Sequence, residues 1–124
     1  MTTRITKPEP TTHTIDATDR TLGRVASEAA HALLGKRSVH FAKNMALPVT
    51  VVIENASKMH LPSTRTKGKV YTHYTGFPGG LRSMDMEEMI AKKGIEEVVK
   101  KTVDGMIPRN RLRAPRMKNL IVHA

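Results

Sequence analysis

Tyr71, Tyr74 and Phe77 are three of the four aromatic residues in this chain, and they fall within one seven-residue stretch. Beside them stand His73 and the glycines Gly76, Gly79 and Gly80, framed by the cations Arg65, Lys67, Lys69 and Arg82. Rings can stack on bases, glycines let the main chain approach closely, and cations neutralise phosphate, so together they suit a phosphate-rich polymer. A second constellation places Arg109, Arg111, Arg113, Arg116 and Lys118 within the segment Pro108 to Lys118. Apolar segments flank it on both sides, which makes it a tethered loop whose cations can track a backbone. Lys36, Arg37 and Lys43 form a third basic group. Thr21-Leu22-Gly23-Arg24 lies at a helix start, where free N–H groups and the helix dipole favour a phosphate. Gly23 costs about 1 kcal/mol there against Ala, so it serves either an anion or close packing of that turn on a strand.

Other chemistries fare worse. The histidines His13, His31, His40, His60, His73 and His123 include no pair at metal-ligand spacing. No Gly-x-Ser-x-Gly elbow occurs. Glu87, Glu88, Glu96 and Glu97 fall on the solvated faces of amphipathic helices, whereas acid–base catalysis by carboxylates needs an enclosed setting that splits their pKa values. Gly35-Lys36-Arg37 has the Gly-Lys step of a phosphate loop, but Ala30 stands where its first glycine belongs and Arg37 where Ser or Thr should follow. Gly76 to Gly80 lacks that lysine as well, although a glycine turn still offers N–H groups to an anion.

The bulk properties agree with a polyanion partner. The 124 residues fit one domain, with enough chain for a core without staples. The absence of cysteine excludes disulfides and thiolate sites and fits a reducing compartment. No apolar run approaches the ~20 residues of a membrane span. Met1 to Thr12 has no hydrophobic signal core and is expected to be a flexible arm. The net charge is +10. It is also segregated: six of the eleven acids lie in 85–104, while 29–53, 55–84 and 105–124 contain none. Segregated charge gives a directed attraction to nucleic acid rather than mere solubility.

The elements that position these residues follow from periodicity. Thr14-Ile15-Asp16 is a short strand. Leu22, Val25, Ala26, Ala29, Ala30, Leu33 and Leu34 form one buried helical stripe, capped by Thr18 or Thr21 and stopped at Gly35. Val49 to Ile53 is β-branched and nearly continuously apolar, the pattern of a central strand covered on both faces. Lys69 to Tyr74 is a second strand, with Val70, Thr72 and Tyr74 on one face and Tyr71 and His73 on the other. Sharing a face with Val70 leaves Tyr74 either a stacking ring or a core residue. Met86, Met89 and Ile90 mark a helix begun at Asp85; Ile95, Val98, Val99, Thr102 and Val103 mark another, ended by Gly105. Residues 109–118 show no period, and Leu120 to Val122 could be a last strand. Alternating strands and helices predict an α/β layer fold with a largely parallel sheet.

Taken in order, the motifs resemble the bacterial form of the thirteenth-numbered protein family of the large ribosomal subunit. They are Ile15-Asp16-Ala17, Thr21-Leu22-Gly23-Arg24-Val25-Ala26-Ser27, Leu34-Gly35-Lys36, Asn55-Ala56, Lys69-Val70-Tyr71, Thr75-Gly76, Pro78-Gly79-Gly80-Leu81, Glu87-Glu88-Met89-Ile90, Gly105-Met106-Ile107-Pro108 and Leu120. They span residues 15–122. The chain departs from the family pattern at Thr12-His13, at Ala46-Leu47-Pro48-Val49, at Tyr74 and at Arg113.

The resemblance implies a three-layer α/β/α fold with a four-stranded, mainly parallel sheet, plus basic loops. It implies a non-catalytic constituent of the large subunit, located in the cytoplasmic ribosome, that binds 23S-type ribosomal RNA and supports early assembly. Its partners would be that RNA and neighbouring ribosomal proteins, with no membrane and no small-molecule substrate. No cofactor is implied beyond magnesium accompanying the RNA. Carried over by position, the RNA-facing residues are Arg24, Lys36, Lys69, His73, Gly76, Gly79 and Gly80. Arg65, Arg82, Arg109, Arg113 and Arg116 lie in matching segments, and the charge pattern adds Arg37, Lys43, Lys67, Arg111 and Lys118. A nucleotide-dependent enzyme would instead bind ATP or GTP without RNA. A DNA-binding regulator would need a recognition helix rich in Arg, Asn or Gln, which these helices lack.

Overall fold

A computed structural model describes residues 8–124. In chain order the elements are β1 (Thr11–Asp16), α1 (Leu22–Leu33), β2 (Val49–Glu54), a 3-10 turn (Ala56–Lys58), α2 (Ser63–Gly68), β3 (Val70–Tyr74), β4 (Leu81–Asp85), α3 (Met86–Lys93), α4 (Ile95–Met106), α5 (Arg113–Met117) and β5 (Leu120–Val122).

Three strands, β1, β2 and β5, form a parallel sheet with β2 in the middle. Ile15 pairs with Ile53, which pairs with Val122, and Val51 pairs with Leu120. Paired residues of parallel strands point to the same side, so these five form one apolar face, and all are buried. Helix α1 packs on β2, α4 packs on β5, and the two helices pack on each other. Each fully buried Val, Leu or Ile in this layer contributes roughly 1.5–3 kcal/mol.

The other face is barely covered. Thr12, Thr14 and Ile121 are exposed, and Thr50 and Val52 only half-buried. Among the described residues, the expected three layers and four-stranded sheet are therefore corrected to helices on one face of three parallel strands. The strand expected at Lys69 to Tyr74 is present, as β3, but it pairs antiparallel with β4 in a separate hairpin. The reason is that of these ten residues only Tyr71 and Met84 are even half-buried, so neither strand has the two apolar faces that a parallel sheet buries.

Local causes account for the rest. The stripe of α1 is buried as expected, and Gly35 ends the helix with φ of +81°. A Cβ there would come 2.5 Å from Leu47 Cδ1, so glycine also lets the following loop close against Leu47. The carboxylate of Asp16 accepts hydrogen bonds from the Thr18 hydroxyl (2.7 Å), the Thr18 N–H (3.0 Å) and Asn55 Nδ2 (3.1 Å). These bonds, the hydroxyl first, hold its carboxyl below the usual aspartate range. They also tie the end of β1 to the end of β2, a structural role for Ile15-Asp16-Ala17 and Asn55-Ala56.

Two further expectations change. The arm expected at Met1 to Thr12 already enters the sheet at Thr11; Met1 to Lys7 lie outside the described residues. The segment expected to lack regular structure contains α5, despite Pro115. Pro115 sits in the first turn, where its missing N–H has no helical partner to lose.

Candidate nucleic-acid interface

The hairpin sorts the aromatic cluster. Opposite residues pair as Val70 with Asp85, Tyr71 with Met84, Thr72 with Ser83, His73 with Arg82 and Tyr74 with Leu81. Side chains alternate along each strand, so Tyr71, His73, Arg82 and Met84 share the inward face. The outward face carries Val70, Tyr74 and Leu81. Tyr74 is 60% exposed, which settles it outside the core, and Phe77 at the tip is 73% exposed.

The glycine turn is built from within. Thr75 N–H donates to Gly80 O (3.1 Å) and Gly80 N–H to Phe77 O (3.0 Å). Gly80 is buried, and a Cβ on it would fall 1.8 Å from Thr75 Oγ1 and 2.9 Å from Phe77 O. It serves the turn itself. Gly76 and Gly79 are exposed, with open space beside them.

On the inward side, Tyr71 gathers charge. Lys69 Nζ lies 5.5 Å from the ring centroid and Lys101 Nζ 5.1 Å, each contact contributing about 0.5–1 kcal/mol at such an exposed site. Burial pushes the phenol's pKa up, partly countered by Arg65, so Tyr71 stays neutral at physiological pH. One cleft of about 480 Å³ lies between the hairpin and helices α3 and α4. Its floor is Met84 and Met89, and its rim His73, Arg82, Lys93 and Lys101. A second cleft of about 240 Å³ shares Tyr71 and Lys101 and adds Arg65 and Lys69. Among the described residues, neither lining contains a carboxylate.

Lys93 and Lys101 are absent from the sequence-derived candidates because they fall in the acid-rich 85–104 segment. A periodicity argument could have found Lys101: three residues after the buried Val98, it stands at the border of the α4 stripe.

The remaining candidates are spread over the surface. Arg65 and Lys67 are exposed on α2, a helix with no buried residue. Arg24 is exposed in the first turn of α1. A Cβ at the neighbouring Gly23 would meet nothing within 4 Å among the described residues, so the strand packing expected of that glycine is not found there. Lys36, Arg37 and Lys43 are exposed in the loop after α1, with Arg37 paired to Glu28 at 3.2 Å. Arg109, Arg111 and Lys118 are exposed, and Arg113 pairs with Asp104 at 3.3 Å.

Arg116 is a correction. It is only 2% exposed, its Nη2 donates to Met45 O (3.3 Å), and its Nε has no hydrogen-bond partner among the described residues. Its carbon stem belongs to the packing of α5, so it pins the 43–48 loop and is not available to a partner at the surface. Among the described residues, no three His, Cys, Asp or Glu side chains are grouped to hold a metal. No helix there is long and apolar enough to cross a membrane.

These features define a basic mixed α/β protein whose surface presents cations, rings and open glycines. The family described as Ribosomal protein L13 matches residues 10–124. The chain is 37% identical to the large ribosomal subunit protein uL13 of Geobacter sulfurreducens, across 99% of this chain and 87% of that one. It is 44% identical to the uL13 of Francisella philomiragia, across 89% and 77%, and 38% identical to that of Idiomarina loihiensis, across 100% and 89%. The chain belongs to the ribosomal protein L13 family, a family of structural constituents of the large ribosomal subunit and not of enzymes.

Proposed function

We propose that this protein binds large-subunit ribosomal RNA in the cytoplasmic ribosome and supports early assembly of the subunit. The observation that carries the reading is the convergence of Arg65, Lys69, His73, Arg82, Lys93 and Lys101 on clefts whose described linings hold no carboxylate. Cations placed this way release counterions when phosphates replace them. Arg24, Lys36, Arg37, Lys43, Lys67, Arg109, Arg111, Arg113 and Lys118 extend the basic surface. Gly76 and Gly79 leave the hairpin tip open to a backbone. The outward hairpin face, with Val70, Tyr74 and Leu81 exposed, suits a neighbouring ribosomal protein.

The test is the salt dependence of binding to a large-subunit ribosomal RNA transcript. With about eight phosphates neutralised, log affinity should fall against log salt with a slope of about −6 to −7. A slope near zero refutes the electrostatic mechanism.

A further inference from the structure

We propose that the cleft between the hairpin's inward face and helices α3 and α4 receives one unpaired nucleotide of an RNA. The base would lie on the half-buried Met84, with the buried Met89 just beneath, and its phosphate among Arg82, Lys93 and Lys101. This subsite rests on the RNA-binding reading above but makes a separate demand, because a cationic surface alone does not require an unpaired base.

Three observations lead there. First, the cleft is two-sided in chemistry: a thioether floor under a rim of four cationic or titratable nitrogen groups, within about 480 Å³. Polarisable methionine sulfurs pack well against flat aromatic rings, and a nucleobase is such a ring with a phosphate tethered nearby. Second, Lys69 and Lys101 are both drawn to Tyr71, and neither they nor Lys93 form an ion pair among the described residues. An arriving phosphate therefore meets ammonium groups held by a ring rather than by a carboxylate, and breaks no ion pair to reach them. Third, Tyr71 is half-buried with both lysines against it, so its task is to hold cations rather than to stack. The base is thus directed to the methionine floor. A regular duplex presents phosphates to the rim but keeps its bases inside, out of reach of Met84 and Met89.

The experiment uses the full chain with carbon-13-labelled methionine methyl groups, the Met84 and Met89 signals being assigned by Met84→Leu and Met89→Leu. Two probes are compared: a single-stranded oligoadenylate and a blunt RNA duplex of equal length. The single strand should move both methyl signals and the duplex neither. The double variant Lys93→Ala/Lys101→Ala should abolish the movement and weaken single-strand binding by about tenfold or more, while duplex binding changes far less. If both RNAs bind but the two methyls stay still, or the duplex moves them equally, the subsite is refuted and the electrostatic reading survives. If neither RNA binds, both readings fall.

Discussion

Replacing Gly80 with alanine separates two roles for the glycine turn. A Cβ there would stand 1.8 Å from Thr75 Oγ1 and 2.9 Å from Phe77 O. The hydroxyl can rotate away, but the carbonyl belongs to the turn and can move only if the turn opens. Overpacking of this kind costs about 1–3 kcal/mol. Opening instead breaks the bonds Thr75 N–H to Gly80 O and Gly80 N–H to Phe77 O, at about 1 kcal/mol each. The two routes together bracket the cost at about 1–3 kcal/mol, or a loss of protection of about 5- to 150-fold. The hairpin touches the rest of the fold chiefly through Tyr71 and Met84, so it opens without unfolding the core. Amide hydrogen exchange at Thr75 and Gly80 is therefore the direct assay, and the melting temperature should fall by less than the full amount implies. Thr75→Ala/Gly80→Ala should recover part of the loss, because the hydroxyl clash is gone while the Phe77 carbonyl at 2.9 Å and the residue-75 Cβ at 3.1 Å remain. Should Gly80→Ala leave both amides protected while RNA affinity drops, the glycine would exist for an RNA approach and the internal account would be wrong.

Two further outcomes follow from the core and from charge. Ile53→Ala, at a fully buried position paired with Ile15 and Val122, should lower stability by about 3–4 kcal/mol in denaturant titration; less than 1 kcal/mol would mean that the sheet is not the core. Glu28 is held below the usual glutamate range first by Arg20, at 2.6 Å, and then by Arg37, against an opposing contribution from burial. A depressed carboxyl stabilises the fold above its unfolded pKa and loses that contribution as pH falls below about 4.3. Glu28→Gln should cost about 0.5–1 kcal/mol near neutral pH, given that the pair is about one-third exposed. The cost should vanish in acid and shrink with salt, and a difference persisting at pH 2 would contradict it.

What could be foreseen depended on whether a segment buries a periodic face. The stripe of α1, the apolar run of β2 and the helix carrying Val98, Val99 and Val103 were all legible because burial imposes their spacing. Helix α2 was not, since Ser63–Gly68 buries nothing, and neither was β4, whose Leu81-Arg82-Ser83-Met84-Asp85 contains no β-branched residue. Pro115 concealed α5. At the site, the aromatic window, its cations and the division of Tyr71 and His73 from Tyr74 were visible, but which face turns inward needed the pairing of Tyr71 with Met84. Lys93 and Lys101 were hidden among acids adjacent in sequence but not in the cleft. Arg116 looked like its neighbours because a run of basic residues does not announce which member turns inward.

The pairing of β2 with both β1 and β5 also sets an order of events during synthesis. β1, α1 and β2 can associate once Glu54 has been made, using contacts at most a few dozen residues apart. The other side of β2 waits for Leu120, which pairs with Val51 across most of the chain. In that interval the middle strand has one edge unpaired, and such edges recruit foreign strands. The basic segments made in the meantime carry like charge, which keeps nascent copies apart. The same lysines and arginines would thus oppose aggregation of the nascent chain, whatever the finished protein binds.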